Sequence, residues 1–271
     1  VRSDGSSSYG SNSRWATLWS VGAGWNIHKE VFMENCGWIE NLRLRASLGI
    51  TGNQDFDPNI AQTMFKLEST EYYMDALGTT FIQYGNKNLK WQKSYKRNVG
   101  IDWEIIKRRF SFRFDYYNDE TSGLLLPVTV APSLGFNTYT ENFGKAKNRG
   151  YEFSVQAVIV RSRDFDWAVN FSGTHNKNRI VKISNALAAL NEENNSDASQ
   201  FTKPIAMYEE GESLSAIKAV PSLGINPQTG NELFLTKDGR ITETWDYRDK
   251  VLAGDTQSKL QGGFGTNFMW K

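Results

Sequence analysis

The chain has few of the side chains that build metal sites and catalytic centres. Its 271 residues include one cysteine, Cys36, and two histidines, His28 and His175. A lone cysteine excludes an internal disulfide and any metal site built from several cysteines. The two histidines are predicted to lie at opposite ends of strands, so neither has neighbours that could complete a zinc site or a catalytic triad. We therefore expect no catalytic residue, no cofactor, no metal site and no enzyme activity.

The chain also lacks net charge and long apolar segments. Its 31 basic residues are matched by 30 acidic residues, so no basic field indicates a nucleic-acid partner. Mean hydropathy is -0.53, and no apolar run approaches the roughly 20 residues of a transmembrane helix. These absences do not exclude a transmembrane β-barrel, because barrel strands are apolar on one face only.

What the chain does have is alternation of apolar and polar residues. In segment 110–116 four aromatic residues alternate with Ser111, Arg113 and Asp115, and a β-strand points successive side chains to opposite faces. Similar alternation is found in six further segments: 15–27, 42–50, 98–105, 151–159, 166–174 and 260–270. Segments of about ten residues suit tilted strands that cross a bilayer. We predict an all-β, antiparallel transmembrane barrel segment of about seven strands, with the apolar face toward lipid.

The links between these strands are alternately short and long. Links 106–109 and 161–165 have the length of hairpin turns, whereas 51–89, 122–146 and 180–258 are long and polar. Outer-membrane barrels have short periplasmic turns and longer outer loops, so we assign the short links, and segment 28–41, to the periplasm. An aromatic girdle is expected near that end, where the prediction places Trp25, Trp103, Trp167 and Trp270.

The tightest predicted hairpin also fixes a register. If Ile105 faces Phe110, then Trp103 faces Phe112 and Ile101 faces Phe114 on the lipid side. In the lumen Asp102 then faces Arg113. All of these are favourable cross-strand pairs. A slip by one residue would place Arg113 in lipid, at a cost of about 2–4 kcal/mol. The residues predicted to line the lumen are Arg43, Arg45, Asp102, Glu104, Arg113, Asp115, Glu152, Gln156 and Asn170.

Ligand contacts are expected in the outer loops, where aromatic residues occur among amides. Aromatic rings can stack on sugars or clamp peptides; alternatively these residues pack loops together or onto a partner. Segments 226–230 and 237–239 are predicted tight turns around a small hairpin, with a calcium loop as the alternative. The candidate contact residues are Tyr72, Tyr73, Phe81, Tyr84, Phe136, Tyr139, Trp245 and Tyr247.

Two other kinds of protein stay open at this point. A soluble carbohydrate-binding β-sandwich also has alternating strands, but here it would have to expose residues such as Phe112 or bury residues such as Arg113. An outer-membrane anchor or adhesin would use the same barrel without transport. Seven strands do not close a barrel of the usual even number, and both ends of the chain lie within strand-like sequence. We therefore expect part of a larger barrel.

Several short motifs, in order along nearly all 271 residues, carry a family resemblance. They resemble the barrel of SusC/RagA-type TonB-dependent outer-membrane transporters of Bacteroidetes. The motifs are VRSDGSS at 1–7, RW at 14–15, SVGAGW at 20–25, LRLRASLG at 42–49, TGNQ at 51–54, NLKWQK at 88–93, DYYN at 115–118, NRGYE at 148–152 and GINPQTG at 224–230.

The resemblance implies a barrel of about 22 strands with an internal plug, of which residues 1–271 would be a partial barrel domain without the plug and the remaining strands. It also implies location in the outer membrane of a Gram-negative bacterium, in contact with its lipid. The implied activity is import of glycan oligosaccharides or peptides, driven through TonB. The implied partner is a SusD-like surface lipoprotein that acts as a lid.

Overall fold

The computed structural model describes residues 1–53, 59–73, 76–129, 138–142, 144–183, 188, 191, 205–206 and 208–270. The chain is built almost entirely from β-strands, with single 3-10 turns at Ile27–Lys29, Val31–Met33 and Tyr247–Asp249. The strands are β1 (Arg2–Gly5), β2 (Trp15–Asn26), β3 (Ile39–Asn53), β4 (Met64–Tyr73), β5 (Ala76–Gln83), β6 (Gln92–Ile105), β7 (Phe110–Ser122), β8 (Leu125–Thr129), β9 (Thr138–Asn142), β10 (Gly144–Arg161), β11 (Phe165–Ile183), β12 (Ile205–Ala206), β13 (Ala216–Ala219), β14 (Ser222–Ile225), β15 (Glu232–Leu235), β16 (Ile241–Thr242), β17 (Val251–Asp255) and β18 (Gln261–Trp270).

Eight of these strands form one antiparallel sheet in the order β1-β2-β3-β6-β7-β10-β11-β18. Each strand pairs with the next long strand along the chain, which is the meander of an up-and-down barrel. All seven predicted transmembrane strands are present. The prediction of seven strands did not include the eighth, β1, because its 4 residues are too few to show an alternating pattern.

The strands are longer than predicted because they continue beyond the span that a bilayer requires. β10 has 18 residues and β11 has 19, against about 9–11 for a tilted strand that crosses a membrane. The extra residues lie at the ends that join the long loops. The predicted long segments 51–89, 122–146 and 180–258 therefore begin or end inside strands rather than in loops.

The predicted register of the β6–β7 hairpin is confirmed. Ile105 pairs with Phe110, Trp103 with Phe112, Ile101 with Phe114, and Asp102 with Arg113. The alternation of apolar and polar side chains fixes the register, because a shift by one residue would exchange the two faces.

The long links fold into small sheets of their own. β4 pairs with β5, and β8 pairs with β9. The third link contains two three-stranded sheets, β12-β13-β17 and β14-β15-β16, and the second of these includes the hairpin predicted around residues 226–244. The short links 106–109 and 162–164 close tight hairpins, as predicted.

One face of the large sheet is apolar and open. Its exposed side chains include Trp19, Val21, Leu48, Val99, Phe171 and Phe264. A β-sandwich would cover such a face with a second sheet. Among the described residues nothing covers this face, so the sandwich alternative is wrong. Among the described residues, no helix is long and apolar enough to cross a membrane.

Burial is concentrated on the other face, near the long-loop end of β2. Tyr9, Ala16, Leu18 and Trp91 form a buried cluster, against which Ile50 and Leu125 pack. Ala16 and Leu18 alternate with the exposed Trp15 and Trp19, so they lie on the face opposite those rings. They are buried because they cluster with Tyr9 and Trp91 from neighbouring links.

Candidate functional site

The nine residues predicted to line the lumen lie on one face of the large sheet. Strand pairing aligns them in three rows across β3, β6, β7, β10 and β11, because residues directly opposite one another share a face. One row contains Arg43, Asp102 and Arg113; a second contains Arg45, Asp115 and Glu152; the third contains Glu104, Gln156 and Asn170. Their common face is thus a feature of the structure, and their lining of a lumen remains a prediction.

Four of these residues form a connected ion network. The Arg45 guanidinium binds Asp102 through two hydrogen bonds, Nε to Oδ2 at 2.8 Å and Nη2 to Oδ1 at 3.1 Å. The same Nη2 lies 3.0 Å from Asp115 Oδ1, and Arg113 Nε donates to Asp102 Oδ1 at 2.9 Å. Each carboxylate is part-buried and each guanidinium donates in fixed directions, so the network holds β3, β6 and β7 together from the polar side.

A glycine allows the network to span three strands. Gly100 on β6 lies opposite both Arg45 on β3 and Asp115 on β7. A Cβ atom at this position would overlap Asp115 Oδ1 and would lie 2.8 Å from Arg45 Nη2. The absence of a side chain on β6 lets Arg45 reach across that strand to Asp115.

The same arrangement recurs on the next strands. Tyr117 on β7 and Asn176 on β11 both lie opposite Gly150 on β10, and the Tyr117 hydroxyl donates to Asn176 Oδ1 at 3.0 Å. A Cβ on Gly150 would lie 2.5 Å from that hydroxyl. Two glycines on the polar face thus allow long side chains to connect strands that are not neighbours.

A concave pocket of about 520 Å³ lies on the polar side of β7, β10, β11 and β18. Arg113, Asp115 and Glu152 provide charge at its edge, and Ser154, Ser172, Thr174 and Gln261 provide hydrogen-bonding groups. Gly262 and Gly263 leave its floor without side chains on β18. Such a wall can form hydrogen bonds with polar groups of a bound molecule or of a protein segment in the lumen.

One asparagine, Asn142, joins three of the segments at the long-loop end of the sheet. Its side chain accepts a hydrogen bond from Lys90 N at 2.7 Å and donates to the carbonyl oxygens of Lys90 at 2.8 Å and Gly123 at 2.9 Å. This side chain therefore connects the end of β9 to the segment before β6 and to the turn after β7. No pattern in the sequence distinguished Asn142 from the other polar residues of its segment.

A second connection lies between the β1–β2 link and the segment before β6. The Tyr9 ring stacks on Trp91 with 4.5 Å between ring centroids, and its hydroxyl donates to the Asn53 carbonyl. Trp91 Nε1 donates to the Arg14 carbonyl at 3.1 Å. Burial raises the pKa of Tyr9 to about 12. Gly10 N donates to the Leu89 carbonyl at 3.0 Å, which completes the contact.

A buried lysine stabilises the third outer segment. Lys218 on β13 has a side chain only 8% exposed and lies 2.6 Å from Glu212 and 3.3 Å from Glu209. Burial by itself lowers the pKa of Lys218, but the hydrogen bonds to Glu212 and Glu209 raise it above the usual value. The Glu212 backbone carbonyl accepts a hydrogen bond from Ile180 N of β11 at 2.7 Å, so the residue that pairs with Lys218 also joins the loop to this strand.

The described aromatic residues among those predicted to contact a ligand lie in separate loop segments. Phe81 packs edge-on against Phe65 and beside Tyr84, so part of this set packs within its own hairpin, as the alternative interpretation expects. Trp245 and Tyr247 lie near the 3-10 turn that precedes β17. The side chains of Tyr72, Tyr73 and Tyr139, and the whole of Phe136, lie outside the described residues. Ligand contact by any of them remains a prediction.

Neither histidine lies in a group of side chains that could perform catalysis. His28 Nδ1 accepts a hydrogen bond from Leu42 N at 3.2 Å, and His175 contacts the Lys259 carbonyl and the Tyr151 ring. Within the part of the chain that the structure describes, no group of three or more His, Cys, Asp or Glu residues could hold a metal ion.

The predicted turn at 226–230 is organised around one carboxylate. Glu243 accepts hydrogen bonds from Asn226 Nδ2 at 2.6 Å, Thr229 Oγ1 at 2.7 Å and Asn231 Nδ2 at 2.9 Å. These bonds lower the pKa of Glu243. The amide nitrogens and the hydroxyl donate toward the carboxylate, which is the opposite of the oxygen cage that calcium requires.

Comparison with known proteins decides the family. Residues 1–269 match the family model described as TonB dependent receptor-like, beta-barrel. The chain belongs to this family. TonB-dependent receptor P39 of Formosa agariphila is 32% identical over 256 residues, which are 93% of this chain and 23% of that protein. TonB-dependent receptor SusC of Bacteroides thetaiotaomicron is 33% identical over 190 residues, 68% of this chain and 19% of SusC.

A solved structure supports the same family. The structure of the RagAB peptide transporter matches this receptor barrel with a TM-score of 0.82 and 25% identity, over 98% of this chain and 29% of that chain. The predicted membership in the SusC/RagA group of TonB-dependent receptors is confirmed. The chain spans less than a third of the length of each of these three relatives.

Proposed function

We propose that this chain is one wall of an outer-membrane TonB-dependent importer of glycan oligosaccharides or peptides. The observation that carries the proposal is an eight-stranded meander with an open apolar face and a charged, concave opposite face, matched over 98% of the chain by the RagAB peptide transporter. Lipid contacts the apolar face, and the polar face lines the lumen through which the nutrient passes.

We also propose that further strands and a plug complete the barrel. Among the described residues β1 and β18 are the two edges of the sheet and do not pair with each other. An open barrel edge in a bilayer would leave backbone groups without hydrogen bonds, which lipid does not tolerate. Residues 1–271 then form a partial barrel domain, and strands outside the present sequence close it.

The proposed partners follow from the family. TonB supplies energy from the periplasm, and a SusD-like lipoprotein covers the outer mouth. The structure of the outer segments supports such a lid: Asn142, Tyr9 and Trp91 join separate loops into one tier on which a rigid partner can rest. The short turns 106–109 and 162–164 then lie on the periplasmic side, and the cell location is the outer membrane of a Gram-negative bacterium.

Growth of the bacterium that encodes the receptor tests this proposal. A strain that lacks the full-length gene is grown on oligosaccharide mixtures, on peptide mixtures, and on the matching monosaccharides and amino acids. We expect a growth defect on one oligomer class only, and complementation by the wild-type gene. Mass spectrometry of ligands that copurify with the full-length receptor then identifies that class. Equal growth of the two strains on every oligomer would contradict the proposal.

A further inference from the structure

The two short turns of the sheet, with the end of the strand beside them, carry five cationic side chains. Turn 106–109, here called the basic turn, contains Lys107, Arg108 and Arg109; the neighbouring turn 162–164 contains Arg163, and Arg161 is the last residue of β10 before it. Asp164 is the one acidic residue in these two turns, and every residue of both turns is exposed. The turns lie side by side, because Val158 N donates to the Arg109 carbonyl at 2.7 Å.

The backbone of the basic turn is strained, although no position in it is glycine. Ile106, Lys107 and Arg108 have φ values of 55°, 55° and 59°, in the left-handed region that side chains with a Cβ disfavour. Arg109 N donates to the Ile106 carbonyl at 3.0 Å, so Lys107 and Arg108 are the central residues of a tight hairpin turn. Asn-Gly is the usual pair at such positions. A strained backbone at an exposed turn suggests that the side chains of that turn have a function.

Exposed apolar side chains surround these cations. Val31, Phe32 and Trp38 lie in the adjacent short link and are 79%, 66% and 53% exposed. The Trp38 carbonyl accepts a hydrogen bond from Ile106 N at 2.9 Å, which connects this link to the basic turn. Cations beside exposed aromatic and aliphatic groups match the boundary between lipid tails and headgroups, whereas a site for a soluble anion needs no apolar neighbours.

Acidic residues lie at this rim as well. Arg108 Nε lies 3.3 Å from Glu104, but the Arg108 side chain is 77% exposed, and an exposed pair of this kind is weak. Glu30 in the adjacent link accepts a bond from Trp25 Nε1 at 2.7 Å. The other carboxylates here are Glu34, Glu40, Asp164 and Asp166, the last of which lies opposite Arg161 across the β10–β11 hairpin. What favours an anion at this rim is therefore the exposure of the cations in the turns themselves, not a net positive charge.

We propose that the basic turn and Arg161 and Arg163 bind the phosphate groups of anionic phospholipids in the inner leaflet of the outer membrane. Phosphates accept hydrogen bonds from guanidinium groups in fixed geometry and from ammonium groups as point charges. This inference rests on the membrane orientation proposed above, but it does not depend on what the receptor imports.

A double variant separates the charge from the fold. Lys107→Asn with Arg108→Gly removes two cations and installs the residue pair that suits the turn, so the full-length receptor should fold at least as well. Arg161→Gln with Arg163→Gln removes the second pair. The matched control is Lys237→Asn with Arg240→Asn, which removes two exposed cations from an outer turn.

Native mass spectrometry of the detergent-solubilised full-length receptor, titrated with phosphatidylglycerol or phosphatidylcholine of equal chain length, measures the affinity. A cation near a membrane surface contributes about 1 kcal/mol, or roughly 5-fold. We expect Lys107→Asn/Arg108→Gly to weaken phosphatidylglycerol binding about 25-fold, with phosphatidylcholine binding and the outer control unchanged. Import should persist in this variant.

Three results would overturn the inference. The first is equal binding of the two lipids by the wild-type receptor, and the second is unchanged phosphatidylglycerol binding by both double variants. The third comes from a parallel titration with lipid A: if the double variants lose lipid A binding and keep phosphatidylglycerol binding, these turns lie in the outer leaflet. A receptor that imports nothing but shows the expected lipid selectivity would contradict the proposed function alone.

Discussion

Gly100→Ala tests whether the polar-face network depends on an empty position in β6. The new Cβ would overlap Asp115 Oδ1 and lie 2.8 Å from Arg45 Nη2. Both atoms are the far ends of flexible side chains, so the strand can keep its place while the Arg45–Asp115 bridge breaks. Arg45 Nε can keep its bond to Asp102 Oδ2, because the new Cβ approaches Nη2 and not Nε.

The size of the effect follows from two opposing contributions. Loss of a charge-assisted hydrogen bond between part-buried groups costs about 1.5–3 kcal/mol. Replacing a strand glycine by alanine returns about 0.5–1 kcal/mol through the unfolded state. We expect the full-length receptor to lose about 0.5–2.5 kcal/mol of unfolding free energy, measured by guanidinium unfolding in detergent with tryptophan fluorescence.

Gly22→Ala is the matched control for this experiment. Gly22 lies on the same face in β2, and a Cβ there would meet the Ala46 carbonyl at 3.5 Å, an ordinary contact. This variant should be stabilised by about 0.5–1 kcal/mol. In an Asp115→Asn background the cost of Gly100→Ala should largely disappear, because the bridge is already weakened. Equal effects of the two alanine variants, or an unchanged cost in the Asp115→Asn background, would refute this explanation.

Three further predictions concern the outer segments. Asn142→Ala removes three hydrogen bonds and should speed hydrogen exchange and proteolysis at residues 86–91. The control, Asn12→Ala, removes one exposed bond and should not. Equal exchange and cleavage rates in the two variants would contradict the connecting role of Asn142. The pKa of Tyr9 is raised to about 12 because the fold favours its neutral form. This contribution to stability is therefore present below about pH 10 and is lost as pH rises toward 12. Tyr9→Phe should abolish that loss in unfolding measurements at pH 9 to 12. Lys218→Met leaves Glu212 and Glu209 without their shared cation and should increase proteolytic cleavage within 208–219. Unchanged cleavage would show that these ion pairs do not stabilise the loop.

The sequence predicted the membrane-spanning part of the fold well, for a physical reason. A strand between lipid and lumen must alternate apolar and polar side chains. The alternation in segment 110–116 therefore predicted both the strand and its register against Ile101 and Trp103. Above the bilayer this requirement ends. The polar stretch 144–150 of β10 shows no apolar alternation, and its strand character comes only from pairing with β7 and β11.

The candidate site was predicted in part. Alternation placed the nine residues predicted to line the lumen on one face, but it did not show that Arg45 reaches across Gly100 to Asp115, since that contact skips a strand. The register offers the missing signal: a glycine directly opposite both a cation and an anion. The connections made by Asn142 and Tyr9 depend on how separate loops fold back, which single-strand patterns do not encode.

The central claim is that one face of the sheet contacts lipid and the other contacts water. The most direct measurement is spin labelling of the full-length receptor in a bilayer, with Cys36 replaced by serine and single cysteines placed in turn at residues 110 to 116. Collision with oxygen and with a water-soluble nickel chelate is measured at each site. We predict that labels at Phe110, Phe112, Phe114 and Tyr116 favour oxygen, and that labels at Ser111, Arg113 and Asp115 favour the chelate. Equal chelate access at all seven sites, or access without a period of two, would contradict the account.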